Sequence, residues 1–80
     1  MKVIKAVAKR IQEIMIEKGI TQYALCKKIA VSESSLYNIC YNRQKDIPFG
    51  KLLLICDGLD ISIHEFLNSP LFNKGNLEID

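Results

Sequence analysis

The chain has 80 residues, of which 49% are hydrophobic and 25% charged, with a formal net charge of +2 at pH 7. That length supports one domain around one modest core, with no room for a second, ligand-sensing unit. Disorder is excluded at this hydrophobicity, and the small net charge points to no partner.

Val3, Ile4, Val7, Ala8, Ile11, Ile14 and Met15 recur at steps of three and four, with Lys5, Lys9, Arg10, Glu13 and Glu17 between them. This predicts an amphipathic first helix of about four turns, stopped by Gly19. The same charges interrupt any apolar region of a secretion signal. No stretch reaches the ~18 apolar residues that a membrane span needs. Thr21 can cap a second helix through its hydroxyl. Leu25, Cys26 and Ile29 share one face of that helix, with Lys27 and Lys28 opposite. Ala30 and Val31 make a short break before Ser32, another cap. A third helix is predicted from about Glu33 to Tyr41, with Leu36, Ile39 and, at the margin, Cys40 inward. Glu33, Ser34, Tyr37, Asn38 and Tyr41 then face out. So short a link between helices two and three forces a sharp crossing.

The polar run from Asn42 to Asp46 reads as a loop. Pro48 suits the first turn of a fourth helix, whose apolar stripe is Phe49, Leu52, Ile55, Cys56 and Leu59. Leu53 and Leu54 widen that stripe and are candidates for exposure or an interface, while Gly58 weakens the helix end. Ser62 and Glu65 form a capping box, with Ile61 and Phe66 placed as a hydrophobic staple. A short fifth helix runs from Ile63 to about Asn68, and Pro70 ends it. The remainder, 69–80, reads as a tail with little helical drive. The fold class is all-α, with five helices in residues 1–68 and a short C-terminal tail.

Cys26, Cys40 and Cys56 are odd in number and lack the close pairing of a disulfide framework or a zinc site. They read as buried thiols in a reducing, cytoplasmic setting, and no metal or other cofactor is expected. The single histidine, His64, has no second histidine or paired carboxylates beside it, so no enzyme is expected.

Two helices joined by a tight turn, the second with a polar outer face, meet the requirement for reading a DNA major groove. That groove is about 12 Å wide and accepts one helix whose side chains must be short or flat. Ser32, Ser34, Tyr37 and Asn38 suit it: serine donates or accepts, asparagine pairs with adenine, and a tyrosine ring can meet a thymine methyl. A solvated helix face is the bland alternative.

At these residues the chain resembles the Cro/repressor (XRE-type) helix-turn-helix family. The resemblance is carried by Gly19-Ile20-Thr21-Gln22, then Leu25, Ile29, Val31-Ser32, Leu36 and Ile39. It continues through Leu52, Ile55-Cys56, Leu59, Ile61-Ser62 and Glu65-Phe66, so that it spans about residues 8 to 67. It implies a compact lambda-repressor-like fold and a transcriptional regulator, most simply a repressor acting as a dimer on double-stranded DNA. By the same resemblance, Ser32, Glu33, Ser34, Tyr37 and Asn38 face the bases. Gln22, Arg43 and Lys45 fall where backbone phosphates are held, and the outward Lys27 and Tyr41 join them. Glu33 has two further readings, stabilisation by the helix dipole or acceptance from cytosine.

Three departures stand out. Cys26 replaces the small alanine usual at the helix crossing. Ala30 replaces the usual turn glycine, where a left-handed backbone costs roughly 1–2 kcal/mol, so the turn is strained or differently shaped. Finally, the stretch from Cys40 to Leu52 is one residue longer than the family pattern, and Cys40 replaces a frequent acidic residue.

Dimerisation is expected through apolar residues at the other end: Leu53, Leu54, Ile63, Leu67, Leu71, Phe72, Leu77 and Ile79. The competing view is that the tail only caps the core. A second functional class is an antitoxin-like protein whose tail could dock a small partner protein. Charge placement supports the first arrangement: residues 1–51 hold ten Lys/Arg against four Asp/Glu, and residues 52–80 hold one against five. A basic reading half and an acidic far half would orient the protein on phosphates.

Overall fold

A computed structural model of the chain describes residues 1–41 and 44–78. Five α-helices follow one another: α1 (Val3–Lys18), α2 (Gln22–Lys28), α3 (Glu33–Cys40), α4 (Phe49–Gly58) and α5 (Ile63–Leu67). Two 3₁₀ turns, Pro70–Phe72 and Lys74–Asn76, follow them.

Local chemistry sets most of the boundaries. The hydroxyls of Thr21, Ser32 and Ser62 accept the backbone N–H of Ala24, Ser35 and Glu65, satisfying donors that a helix start leaves open. Pro48 lies one position earlier than expected, at the cap of α4 and not within its first turn. Gly19 ends α1 in the left-handed region at φ 67°. The Gly19 and Ile20 amides then donate to the Ile16 and Met15 carbonyls, at 3.2 and 2.8 Å, the paired bonds of a Schellman end. The end of α4 repeats this arrangement with Asp60, at φ 56°, in place of a glycine. Asp60 and Ile61 donate to Asp57 and Cys56.

Among the described residues Asp60 is the sole left-handed non-glycine. Ala30 therefore carries no such strain, and the α2–α3 turn is of the differently shaped kind. It leaves α2 through Ile29 in extended geometry and enters α3 through an extended Ser32.

The core is built from Ile11, Leu25, Leu36, Ile39, Ile55, Leu59 and Phe66, all with essentially no solvent exposure, and Ile4, Val7 and Ile14 extend it along α1. Gly58 belongs to the closest approach of α2 to α4. A Cβ there would sit 2.5 Å from a methyl of Ile29 and 2.6 Å from one of Leu25. Beyond weakening a helix end, this glycine lets two helices touch.

Two residues assigned to inward stripes face out instead. Phe49 is 61% exposed and Val3 is 42% exposed. In the first turn of α4 it is Leu52 that reaches the core, at 6% exposure, while Phe49 at the helix start stays largely in solvent.

The tail folds back on the domain. Phe72 packs its ring 5.8 Å from that of Phe66, and the Glu78 amide donates to the Met1 carbonyl at 2.8 Å. Asn76 Nδ2 closes the segment on the Pro70 carbonyl at 2.6 Å. Two 3₁₀ turns and an isolated bridge between Lys2 and Glu78 thus order a tail whose composition shows little helical drive.

Candidate nucleic-acid interface

The outer face of α3 is held by polar contacts near both of its ends. Gln12 Nε2, from α1, donates to the Cys40 carbonyl at 2.7 Å, satisfying an acceptor that the helix end leaves open. Toward the other end, Lys51 Nζ from α4 donates to Ser35 Oγ at 3.1 Å. Beneath α3, Leu36 and Ile39 are fully buried. The helix is therefore fixed in angle and height by packing below and hydrogen bonds at its flanks.

Ser32, Glu33, Ser34 and Tyr37 are exposed, and Asn38 is half-buried. Together with Thr21, Gln22 and Tyr23, four of these (Glu33, Ser34, Tyr37 and Asn38) line one open groove between the start of α2 and the face of α3. Ser32 Oγ accepts the cap bond from Ser35 at 3.2 Å and lies 3.4 Å from Ser34 Oγ. Capping uses a lone pair and leaves the hydroxyl proton free to be given away. The rings of Tyr37 and Tyr41 lie 4.5 Å apart, tilted by 39°, forming an aromatic ledge along the outer edge of α3. Glu33 opens α3, where the helix dipole favours its charge.

The residues assigned to phosphates are more dispersed. Lys27 is exposed with its ammonium 4.8 Å above the Tyr23 ring, and Tyr41 is exposed at the end of α3. Gln22 is half-buried, with its side chain near enough to the Cys40 thiol to offset part of the rise that burial gives it. Lys45 is exposed beside Lys2 and Lys5 in a separate cleft. Arg43 lies outside the described residues.

The three cysteines are free, with Cys40 and Cys56 buried and Cys26 half-buried. Burial raises all three thiols, and pushes Cys56 up to about 11. Glu33 raises Cys26 further, which places that carboxylate's influence toward α2. Neutral, poorly nucleophilic thiols result.

Of the residues expected at a dimer contact, Leu53, Leu54 and Leu67 are exposed, whereas Ile63 and Phe72 are partly buried against the core. Leu71 and Leu77 are half-buried, and Ile79 lies outside the described residues. Sequence reasoning missed the exposure of Phe49, and Tyr23 and Lys51 near the groove. A helical lysine such as Lys51 looks like any other in a periodic pattern, and only its partial burial and its contact across to α3 set it apart.

The Cro/C1-type HTH DNA-binding domain family matches residues 10–70. The chain belongs to that family. This helix-turn-helix protein is accordingly a sequence-specific DNA-binding transcriptional regulator. It is similar to the restriction-modification controller protein C.Esp1396I, whose structure is a tetramer in complex with its natural 35 base-pair operator. That match has a TM-score of 0.75 at 30% identity and covers 80% of this chain and 83% of the other. A tyrosine-to-alanine mutant of the same controller protein matches with the same score and identity, over 80% of this chain and 82% of the other. No protein of curated function matches the chain. These matches favour the regulator over the toxin-binding alternative. Among the described residues no helix is long and apolar enough to cross a membrane.

Proposed function

We propose that this Cro/C1-type protein represses transcription in the cytoplasm by occupying an operator as a homodimer, without catalysing any reaction. The observation that carries this reading is the composite groove in which Glu33, Ser34, Tyr37 and Asn38 stand together beside the start of α2. In this reading Ser32, Glu33, Ser34, Tyr37 and Asn38 contact base edges. Gln22, Lys27, Tyr41, Arg43 and Lys45 hold the flanking backbone, setting register and affinity while the bases set sequence. Likeness to a controller protein solved on its operator supports operator binding by more than one copy.

The second copy docks on the side opposite the groove, through Leu53, Leu54 and Leu67, with Ile63, Leu71 and Phe72 at the margin. Residues 1–68 form the reading domain, and 69–80 are a C-terminal tail open to a dimer or partner contact. Two reading helices then address half-sites about 34 Å apart, one turn of DNA. In vitro selection of random duplexes at fixed salt tests this directly. A two-fold symmetric enriched motif is expected. Enrichment of no sequence at all would sink base reading, and an asymmetric single half-site would sink the dimer.

A further inference from the structure

Lys51 sits half-buried in the first turn of α4, and among the described residues its ammonium has one hydrogen-bond partner, the Ser35 hydroxyl at 3.1 Å. An ammonium carries three donors and accepts nothing, so one hydroxyl leaves donors over. Among the described residues the ion pairs join the Met1 amino group to Glu78 and Arg10 to Glu13. No carboxylate there lies within ion-pairing reach of Lys51. The carboxylate at the start of α3, Glu33, acts instead on Cys26 of α2. The first half of α3 adds only positive dipole. A partly desolvated cation without a counter-charge is unfavourable by itself, and this one lies at the rim of the proposed reading helix.

We propose that Lys51 is a DNA backbone ligand, its ammonium bridging a phosphate of the bound duplex to Ser35 of the recognition helix. This rests on the DNA-reading face described above. A phosphate oxygen supplies both the missing acceptor and the missing charge. The bridge also ties the angle of α3 to the strand at the groove edge, so Lys51 binds phosphate and Ser35 acts as a positioning residue.

The test measures affinity of the full chain for its selected site and for a random duplex across a range of salt. Lys51→Gln removes the charge while keeping a donor for Ser35. It is expected to reduce the slope of log affinity against log salt by about 0.9 on both duplexes. The same slope corresponds to about an eightfold relative loss on going from molar to tenth-molar salt. Lys51→Arg should restore the slope. Ser35→Ala should leave the slope unchanged and lower the ratio of specific to random affinity. Thermal unfolding of each variant confirms that it is folded. An unchanged slope in Lys51→Gln overturns the phosphate contact, and an unchanged ratio in Ser35→Ala overturns the bridge. If the unmodified protein shows no sequence preference, the reading face itself fails; if it shows preference while Lys51→Gln is silent, Lys51 alone fails.

Discussion

Helices α3 and α4 each bury one side in the same core and turn the other to solvent. On α3 the outward residues are Glu33, Ser34, Tyr37 and Asn38, short or flat groups with donors and acceptors. On α4 they include Phe49, Leu53 and Leu54, exposed by 61%, 41% and 43%. The first surface can exchange water for base edges and phosphates at little cost, because each hydrogen bond lost is replaced by another. The second gains only by meeting another apolar surface, at about 25 cal/mol per Å² removed from water. One face therefore suits nucleic acid and the other a second copy of the chain.

The contrast can be broken from the apolar side first. Leu53→Glu combined with Leu54→Glu should cost the dimer at least about 1–3 kcal/mol, since roughly two-fifths of each leucine is left to bury. Light scattering should then report the 9.1 kDa chain where the unmodified protein gives twice that mass. The thermal midpoint of the monomer should fall too, but by less than for fully buried leucines, since both side chains are only partly packed. Next comes the packing that sets the two helices apart. Gly58→Ala forces a methyl against Ile29 and Leu25, and should destabilise by about 1–3 kcal/mol, seen in urea unfolding. Damage there should reach the groove too, because α2 rests on α4.

On the polar face, Asn38→Ala should cost about 1–3 kcal/mol at the selected site if the amide pairs with a base, and little on random DNA. Equal loss on both duplexes would reassign Asn38 to the backbone. The smallest effect is on the core that both faces share. Burial raises the Cys56 thiol to about 11, so the folded state keeps that proton to higher pH than the unfolded chain does. Stability is then present below the ordinary thiol range and declines as pH rises from there through about 11. Cys56→Ala should flatten the difference between unfolding free energies at about pH 8 and about pH 10, a range that brackets the unperturbed thiol.

The two faces were not equally legible beforehand. The start of α3 is a local matter: Ser32 caps, Glu33 favours the dipole, and Leu36 and Ile39 mark the inner side. These signals fit one orientation only, so the outward set could be named. In α4 the run Leu52-Leu53-Leu54-Ile55-Cys56 is apolar all round, and a period of 3.6 has little contrast to act on. The stripe therefore assigns Phe49 inward, whereas in the fold it is largely in solvent. The tail has little helical drive for its sequence to show, and its packing is a tertiary matter: Phe72 finds its partner, Phe66, through the fold and not through any helical pattern.

The residue order alone therefore settles where helices start and stop, because caps, left-handed ends and stripes depend on neighbours a few positions apart. It also settles the family, since the glycine-to-serine span of the turn and the later leucines lie in fixed register. What only the folded chain decides is the set of contacts between helices. Gln12 reaches across 28 residues to the end of α3, and Lys51 across 16 to its first half. Gly58 admits two methyl groups of α2. Such contacts depend on where rigid helices come to rest against each other, and no local period in the chain encodes that.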